Sequence, residues 1–267
     1  MRVVSGHQPV YLPWLGLFQK LVLADVFVVM DDVQYLEQDW NNRNYIKQKS
    51  GRLRLTVPVS AKRSHSGLIR DIRICSDGDL AGSGHWQRSH YRAILSCYAR
   101  APYFARHAPF LETLYLAGKW KWLHDLNLKI LRYFIRELGI DVELVIASEY
   151  GFKGAKSGLV LDHCLKLNAD VCVLGEHGKS YIDRESFYRN GIWLYFQKYR
   201  HPEYPQLFEP FVSHLSVLDL LMNAGPESLD ILMRGNASRR LLLEAVERTD
   251  RPATVLREED HDANDLV

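Results

Sequence analysis

Arg2-Val3-Val4-Ser5-Gly6-His7-Gln8-Pro9-Val10-Tyr11-Leu12-Pro13-Trp14-Leu15-Gly16 opens the chain, and Val26-Phe27-Val28-Val29-Met30-Asp31-Asp32 follows shortly after. Arg2–Ser5 reads as a short buried strand. Pro9 and Pro13 fix φ and lack an amide donor, which holds the next segment out of regular structure. Pro13 suits the first turn of a helix running to about Ala24, because Leu15, Phe18, Leu21 and Val22 recur at helical spacing. Val26–Met30 is an unbroken apolar run, as expected of a strand buried in a parallel sheet. Together they make a βαβ unit, which binds ligands at the C-terminal ends of its strands. His7 and Gln8 are expected just past the first strand, and Asp31 and Asp32 just past the second.

Working outward, Leu53–Val59 and Leu68–Cys75 read as strands of a hairpin or insertion, and Gly78–Gly84 as a loop. His85–Tyr98, Tyr103–Leu116 and Leu123–Leu138 have helical periodicity, and Gly139 ends the last of them. A second βαβ-like series follows. It has strands at Val142–Ala147, Val171–Leu174 and Trp193–Gln197, with helices at Leu159–Leu167 and Arg184–Asn190. Ser216–Asn223 reads as a helix with a polar stripe, and Ile231–Val246 as one amphipathic helix. The last residues are charged and poor in apolar side chains, as a frayed tail is.

The 267 residues are 47% hydrophobic and 25% charged, ordinary globular values. That length suits one large domain, or one domain with a subdomain. The expected organisation is a single α/β domain over 1–248, with a helical insertion at about 85–138 and a charged, flexible tail at 249–267. A formal charge of +2 argues against a nucleic-acid binder driven by its overall field. Basic side chains do gather locally at Lys47, Lys49, Arg52, Arg54, Lys62 and Arg63. Cys75, Cys97, Cys164 and Cys172 show no CxxC spacing, and no apolar stretch approaches the ~20 residues of a membrane span. A reduced, cytoplasmic protein without a structural zinc site is the expectation.

Four segments crowd polar and ring-bearing residues where strands should end. His7, Gln8, Tyr11 and Trp14 precede a helix N-terminus whose free N–H groups favour an anion, and Gly16 leaves room for close approach. Asp32, Gln34, Arg43, Asn44 and Lys47 come next, with Arg43 suited to bidentate phosphate or carboxylate contacts. Lys179 and Tyr181 lie in the Gly175–Asp183 turn, which resembles a phosphate-holding loop but is not a Walker A sequence. Tyr199, His201 and Tyr204 follow the last strand. Ser216, Asp219 and Asn223 share one helix face. His7, Asp32, Lys179 and His201 are the candidate catalytic residues, and the others apart from Gly16 and Ser216 are candidate substrate contacts. No metal ligand set is read, and HExxH and GxSxG are absent.

His-Gln-Pro-Val-Tyr-Leu-Pro-Trp-Leu-Gly-Leu-Phe-Gln-Lys, then Asp-Asp-Val-Gln-Tyr, Asn-Asn-Arg-Asn-Tyr-Ile-Lys and Leu-Thr-Val-Pro-Val resemble, in this order, the WbqC-like protein family. The later segments from Leu167 to Asp183, Phe196 to Gln206 and Leu215 to Gly225 continue the likeness. One departure is Trp40-Asn41-Asn42-Arg43-Asn44, where members often read Trp-Arg-Asn-Arg-Asn. The resemblance implies a bacterial O-antigen or polysaccharide-cluster protein that tailors a nucleotide-linked amino sugar by acyl or aminoacyl transfer onto its amine. An acyl-CoA, acyl-carrier or aminoacyl donor is implied, with an acyl-carrier protein or a tRNA as the donor partner. The strand, His-Pro turn and helix are also similar to the nucleotidylyltransferase superfamily, although the second histidine of its HxGH turn is missing.

The expectation is therefore an α/β protein with a mostly parallel, Rossmann-like sheet and a helical insertion between two βαβ halves. It is read as an amide-forming transferase with His7 as general base or oxyanion contact. Nucleotidyl transfer or carboxylate adenylation is one alternative. A non-catalytic nucleotide-sugar or nucleic-acid binding module is the other.

Overall fold

The computed structural model describes residues 1–60, 67–75 and 86–248. In chain order the elements are β1 (Val3–His7), α1 (Leu15–Leu23), β2 (Val26–Val29), β3 (Arg43–Gln48), β4 (Gly51–Thr56), α2 (Trp86–Tyr98), α3 (Phe104–Glu112) and α4 (Leu123–Glu137). β5 (Glu143–Ile146), α5 (Ala147–Tyr150), α6 (Ser157–Lys166), β6 (Val171–Gly175), α7 (Arg184–Arg189) and β7 (Trp193–Gln197) follow. α8 (Val217–Ala224), α9 (Ser228–Met233) and α10 (Arg239–Glu247) close the chain. The charged tail, the Gly78–Gly84 loop, Lys62, Arg63 and His85 lie outside the described residues.

The main sheet has five strands in the order β5-β2-β1-β6-β7, every neighbouring pair parallel. This is the doubly wound α/β arrangement, Rossmann-like, with the order of connection reversing between β1 and β6. Alternate side chains divide the strands between two faces. Phe27 and Val29 pack with α1 and with Ile130 and Phe134 of α4, in the larger core cluster. Val4, Val26, Val28, Cys172, Leu194 and Phe196 face Val160 and Cys164 of α6 and Phe187 of α7. Because both faces are covered, β2 and β6 read as continuous apolar runs.

The helical stretch expected as an insertion divides in two. α4 supplies the crossover between β2 and β5, while α2, α3 and the β3–β4 hairpin are additional. The hairpin covers Arg43–Thr56, so the polar segment Arg43–Gln48, for which no strand was expected, is one. Leu68–Cys75, expected as a strand, is mainly a 3-10 turn at Ile69–Asp71, joined by the single bridges Gln34–Leu68 and Val59–Ile74. Ile231–Val246 is two helices, parted at Gly235, whose φ of +69° suits glycine. Pro13 precedes α1 rather than starting it, Trp14 taking the N-cap position.

Buried histidines tie stability to pH, His90 and His163 among them. Burial pushes His90 and His163 each down from 6.5 to about 4. Between those values the unfolded chain binds the extra protons, so stability falls as pH drops through the window and is level above it. A thermal melt series is expected to show that decline. His163→Phe, which replaces an imidazole already packed edge-on against Phe152, is expected to make it shallower. An unchanged slope in that variant would remove His163 from the account.

Candidate functional site

β1 ends at His7, so the imidazole stands at the C-terminal edge of the central strand, beside the reversal point where this fold binds ligands. Its Nδ1 lies 2.9 Å from the Gln8 carbonyl. A carbonyl only accepts, so Nδ1 carries the hydrogen and Nε2 carries the lone pair. Burial, and then the Lys20 ammonium, push the group down from 6.5 to about 4. His7 is thus a neutral imidazole, with no hydrogen bond on Nε2 among the described residues.

Lys20 lies behind it on α1 and is 4% exposed. Its Nζ donates to the Gly6 carbonyl at 2.7 Å and sits 5.9 Å from the Phe27 ring centroid. No carboxylate neutralises it among the described residues, and burial lowers it to about 8. An ammonium without a counter-ion keeps His7 from protonating. Lys20→Met is expected to raise the His7 pKa, read from its imidazole 15N shifts against pH. A fall, or no change, would show that Lys20 does not act on His7.

Gln8 bridges to the next segment, its Oε1 accepting from Asn41 Nδ2 at 3.3 Å. Asn41 Nδ2 also donates to the Pro9 carbonyl at 2.9 Å, and Asn127 Nδ2 to the Asn41 carbonyl at 2.8 Å. Carbonyl partners fix both amides with Nδ2 inward. The two Oδ1 atoms are buried and have no donor. Asn127 lines a small cavity with His7, Gln8, Pro9 and Leu17. Met30 N donates to the His7 carbonyl at 2.9 Å, which brings the end of β2 alongside. There Asp31 is saturated by the Ser148 amide and hydroxyl at 2.9 and 2.7 Å. Asp32 is not: its Oδ1 is buried without a partner, and burial raises its carboxyl above the ordinary range.

A strip of rings leads away from His7. Trp14 lies edge-on to it at 5.3 Å, Trp40 is 6.4 Å from Trp14, and Tyr45 is 6.1 Å from Trp40. Trp40 is 41% exposed. Arg43 is half-buried, its Nε reaching Asn42 Oδ1 at 3.3 Å.

The other expected residues lie elsewhere or are engaged. The Tyr11 hydroxyl is buried between His90 Nδ1 at 2.8 Å and the Tyr115 hydroxyl. Asn44 braces the turn, Nδ2 donating to the Leu12 carbonyl at 2.6 Å and Oδ1 accepting from Tyr45 N at 2.8 Å. Asp219 accepts from the Tyr98 hydroxyl at 2.7 Å, and from the Tyr204 hydroxyl and Gln206 Nε2 at 2.9 Å each. Lys47 N donates to that same Tyr98 hydroxyl at 2.9 Å, and Lys47 Nζ to the Pro210 carbonyl. Ser216 caps α8, accepting from Leu218 N, and Asn223 donates to the Asp219 carbonyl.

The ring of Tyr199 fills the space that Gly16 leaves, and its hydroxyl reaches the Leu232 carbonyl at 3.0 Å. His201 is used at both nitrogens, Nδ1 toward the Pro202 carbonyl and Nε2 accepting from His214 N at 3.1 Å. Lys179 lies 4.0 Å from Glu176. Tyr181 borders a cavity on the α6 side of the sheet, with Ser5, His163 and Cys172. Gln34 is exposed and bridges to Leu68.

His7, Gln8 and Trp14 therefore converge at the C-terminal edge of β1, with Asp32 past the end of the neighbouring β2. Lys20, Trp40, Asn41 and Asn127 join them, although the sequence reading did not select them. Asn127 had a signal: it falls within the Leu123, Leu126, Ile130, Leu131, Phe134 stripe, and a polar side chain there must be buried. Lys20 had the same signal, lying between Phe18 and Leu21 on a helix packed on nearly every side.

A model of the WbqC-like protein family matches residues 8–231, from the turn after β1 into α9. The chain belongs to the WbqC-like protein family. It is similar to the uncharacterized protein Rv1507c of Mycobacterium tuberculosis (strain ATCC 25618 / H37Rv), 34% identical over 235 residues. The match covers 87% of this chain and 98% of that protein. No solved structure matches. The family match spans the polar turn, the hairpin and the strip of rings. No helix among the described residues is long and apolar enough to cross a membrane.

Proposed function

We propose that the chain is a transferase of polysaccharide biosynthesis that forms an amide on a nucleotide-linked amino sugar. The observation that carries this reading is His7, neutral and with the Nε2 lone pair unoccupied, at the ligand-binding edge of a doubly wound sheet. The amine nitrogen attacks the donor carbonyl, and His7 Nε2 takes its proton as the C–N bond forms. The donor's C–S or C–O bond then breaks, and the leaving thiolate or alkoxide recovers the proton. The same tautomer favours a base over an oxyanion donor, because its N–H is turned to Gln8.

The surroundings fit an amino sugar. Asn41 Oδ1 and Asn127 Oδ1 are acceptors that lack donors, and a sugar brings several O–H and N–H groups. Trp14 and Trp40 offer ring faces for a base or sugar. Incubating nucleotide-linked amino sugars with acyl-CoA, acyl-carrier and aminoacyl donors is expected to give a product heavier by the acyl group. No mass gain with any donor would overturn the proposal. ATP-dependent pyrophosphate release without transfer would assign the site to adenylation instead.

A further inference from the structure

The charge of this chain is unevenly distributed. Residues 40–111 hold 13 of the 34 Lys and Arg but 3 of the 32 Asp and Glu, so the remainder is acidic. That basic segment begins with the β3–β4 hairpin. Its register sets Arg43 opposite Thr56, Tyr45 opposite Arg54, and Lys47 opposite Arg52. Cross-strand partners share a face, so Arg43, Tyr45, Arg52 and Arg54 stand together on one side, where Lys47 is buried with its Nζ on the Pro210 carbonyl, while Ile46 and Leu55 are buried on the other. Arg52 and Arg54 are exposed. Arg52 donates to the Ser213 carbonyl and lies 6.0 Å from the Tyr45 ring centroid. Among the described residues none of these three arginines pairs with a carboxylate.

This face runs into the site. From Arg52 the path goes to Tyr45, Trp40, Trp14 and His7 in steps of 6.0, 6.1, 6.4 and 5.3 Å. A basic track beside aromatic rings is how proteins hold single-stranded nucleic acid, phosphates on the cations and bases on the rings. The path is too long for one pyrophosphate group, and the rings would serve no purpose for a purely acidic protein surface.

Building on the transferase reading, we propose that the outward face of the hairpin binds the single-stranded 3′ end of an RNA that carries an aminoacyl ester, and delivers the ester to His7. The step balances without a further reactant. The sugar amine attacks the ester carbonyl, the C–N bond forms, the C–O bond to the terminal ribose breaks, and the ribose oxygen takes the proton relayed by His7 Nε2.

A short labelled single-stranded RNA ending in cytidine-cytidine-adenosine, titrated by fluorescence anisotropy at several salt concentrations, tests this. Binding is expected to weaken with salt at a logarithmic slope of about −2, as three arginines on a single strand predict. Arg52→Glu with Arg54→Glu is expected to weaken it at least about tenfold and to flatten that slope, with an unchanged melting temperature because both residues are exposed. Trp40→Ala is expected to weaken binding about tenfold, as loss of one stacked base does, and to keep the slope. RNA binding that is absent, indifferent to salt, or unaltered in the double variant overturns the proposal. So does an acidic acyl-carrier protein that binds this face in place of RNA. Amide formation from acyl-CoA without RNA binding sinks this donor assignment alone. RNA binding without transfer from any donor sinks the transferase reading and leaves an RNA-binding surface.

Discussion

His7→Ala is expected to lower the rate of amide formation by about two to four orders of magnitude, the range for losing a positioned general base. The effect should fall on kcat more than on KM, because the imidazole acts on the proton that leaves as the C–N bond forms. The pH profile gives a second reading of the same group. With His7 held down to about 4, the unprotonated form is present throughout the neutral range. The free-enzyme acid limb of kcat/KM due to this base therefore belongs near 4 rather than near 6.5. Single-turnover measurements with excess protein separate this loss from slow product release. A His7→Ala variant as fast as the parent would take the base role from His7 while leaving the fold untouched.

The largest effect on stability is expected at Asp219. Its carboxylate is fully buried and accepts from Tyr98, Tyr204 and Gln206, joining α2, α8 and the segment after β7. Tyr98 in turn accepts from Lys47 N of the hairpin. Asp219→Ala leaves three donors without a partner in a dry interior, at a cost of about 3–5 kcal/mol. For a chain of this size that is a fall in melting temperature on the order of 10 °C. Asp219→Asn keeps one acceptor oxygen and is expected to lose roughly half as much, since part of the network is retained. Thermal denaturation of the two variants against the parent checks both, and equal stability in all three would show that the network is dispensable.

The inner strands of the main sheet were legible mostly as apolar runs buried on both faces. Val26–Val29 and Trp193–Gln197 stand where the runs placed them. The hairpin was not legible in its first half. Arg43-Asn44-Tyr45-Ile46-Lys47 alternates, but its inward positions include Asn44, which is buried to brace Leu12 rather than to fill a core. A period-2 pattern with a polar inward residue reads as a loop. Leu68–Cys75 failed the other way, being apolar enough for a strand yet paired at only single residues. The break in the last helical stretch had a local signature that apolar periodicity overrides: Gly235 stands just past the first helix at φ +69° and Ser238 caps the second, while the Asn236 side chain ties the link to Arg200.

The same division holds for the site. Residues beside a strand end in the sequence, such as His7 and Gln8, were legible from topology alone. Tyr11, Lys47 and Asp219 were selected as polar groups in suggestive places, and the fold gives each one a buried partner. Sequence records that a polar group is present and omits whether another side chain already satisfies it. Asn41 and Asn127 show the converse, since the missing donor at their Oδ1 atoms is visible only when both segments are in place.

A crystal structure with a nucleotide-linked amino sugar bound tests the account most directly. It predicts the sugar amine within hydrogen-bonding reach of His7 Nε2, about 2.6–3.2 Å, with the sugar held at the β1 edge. A phosphate group on His7, or the amine bound away from the β1 edge, would contradict it.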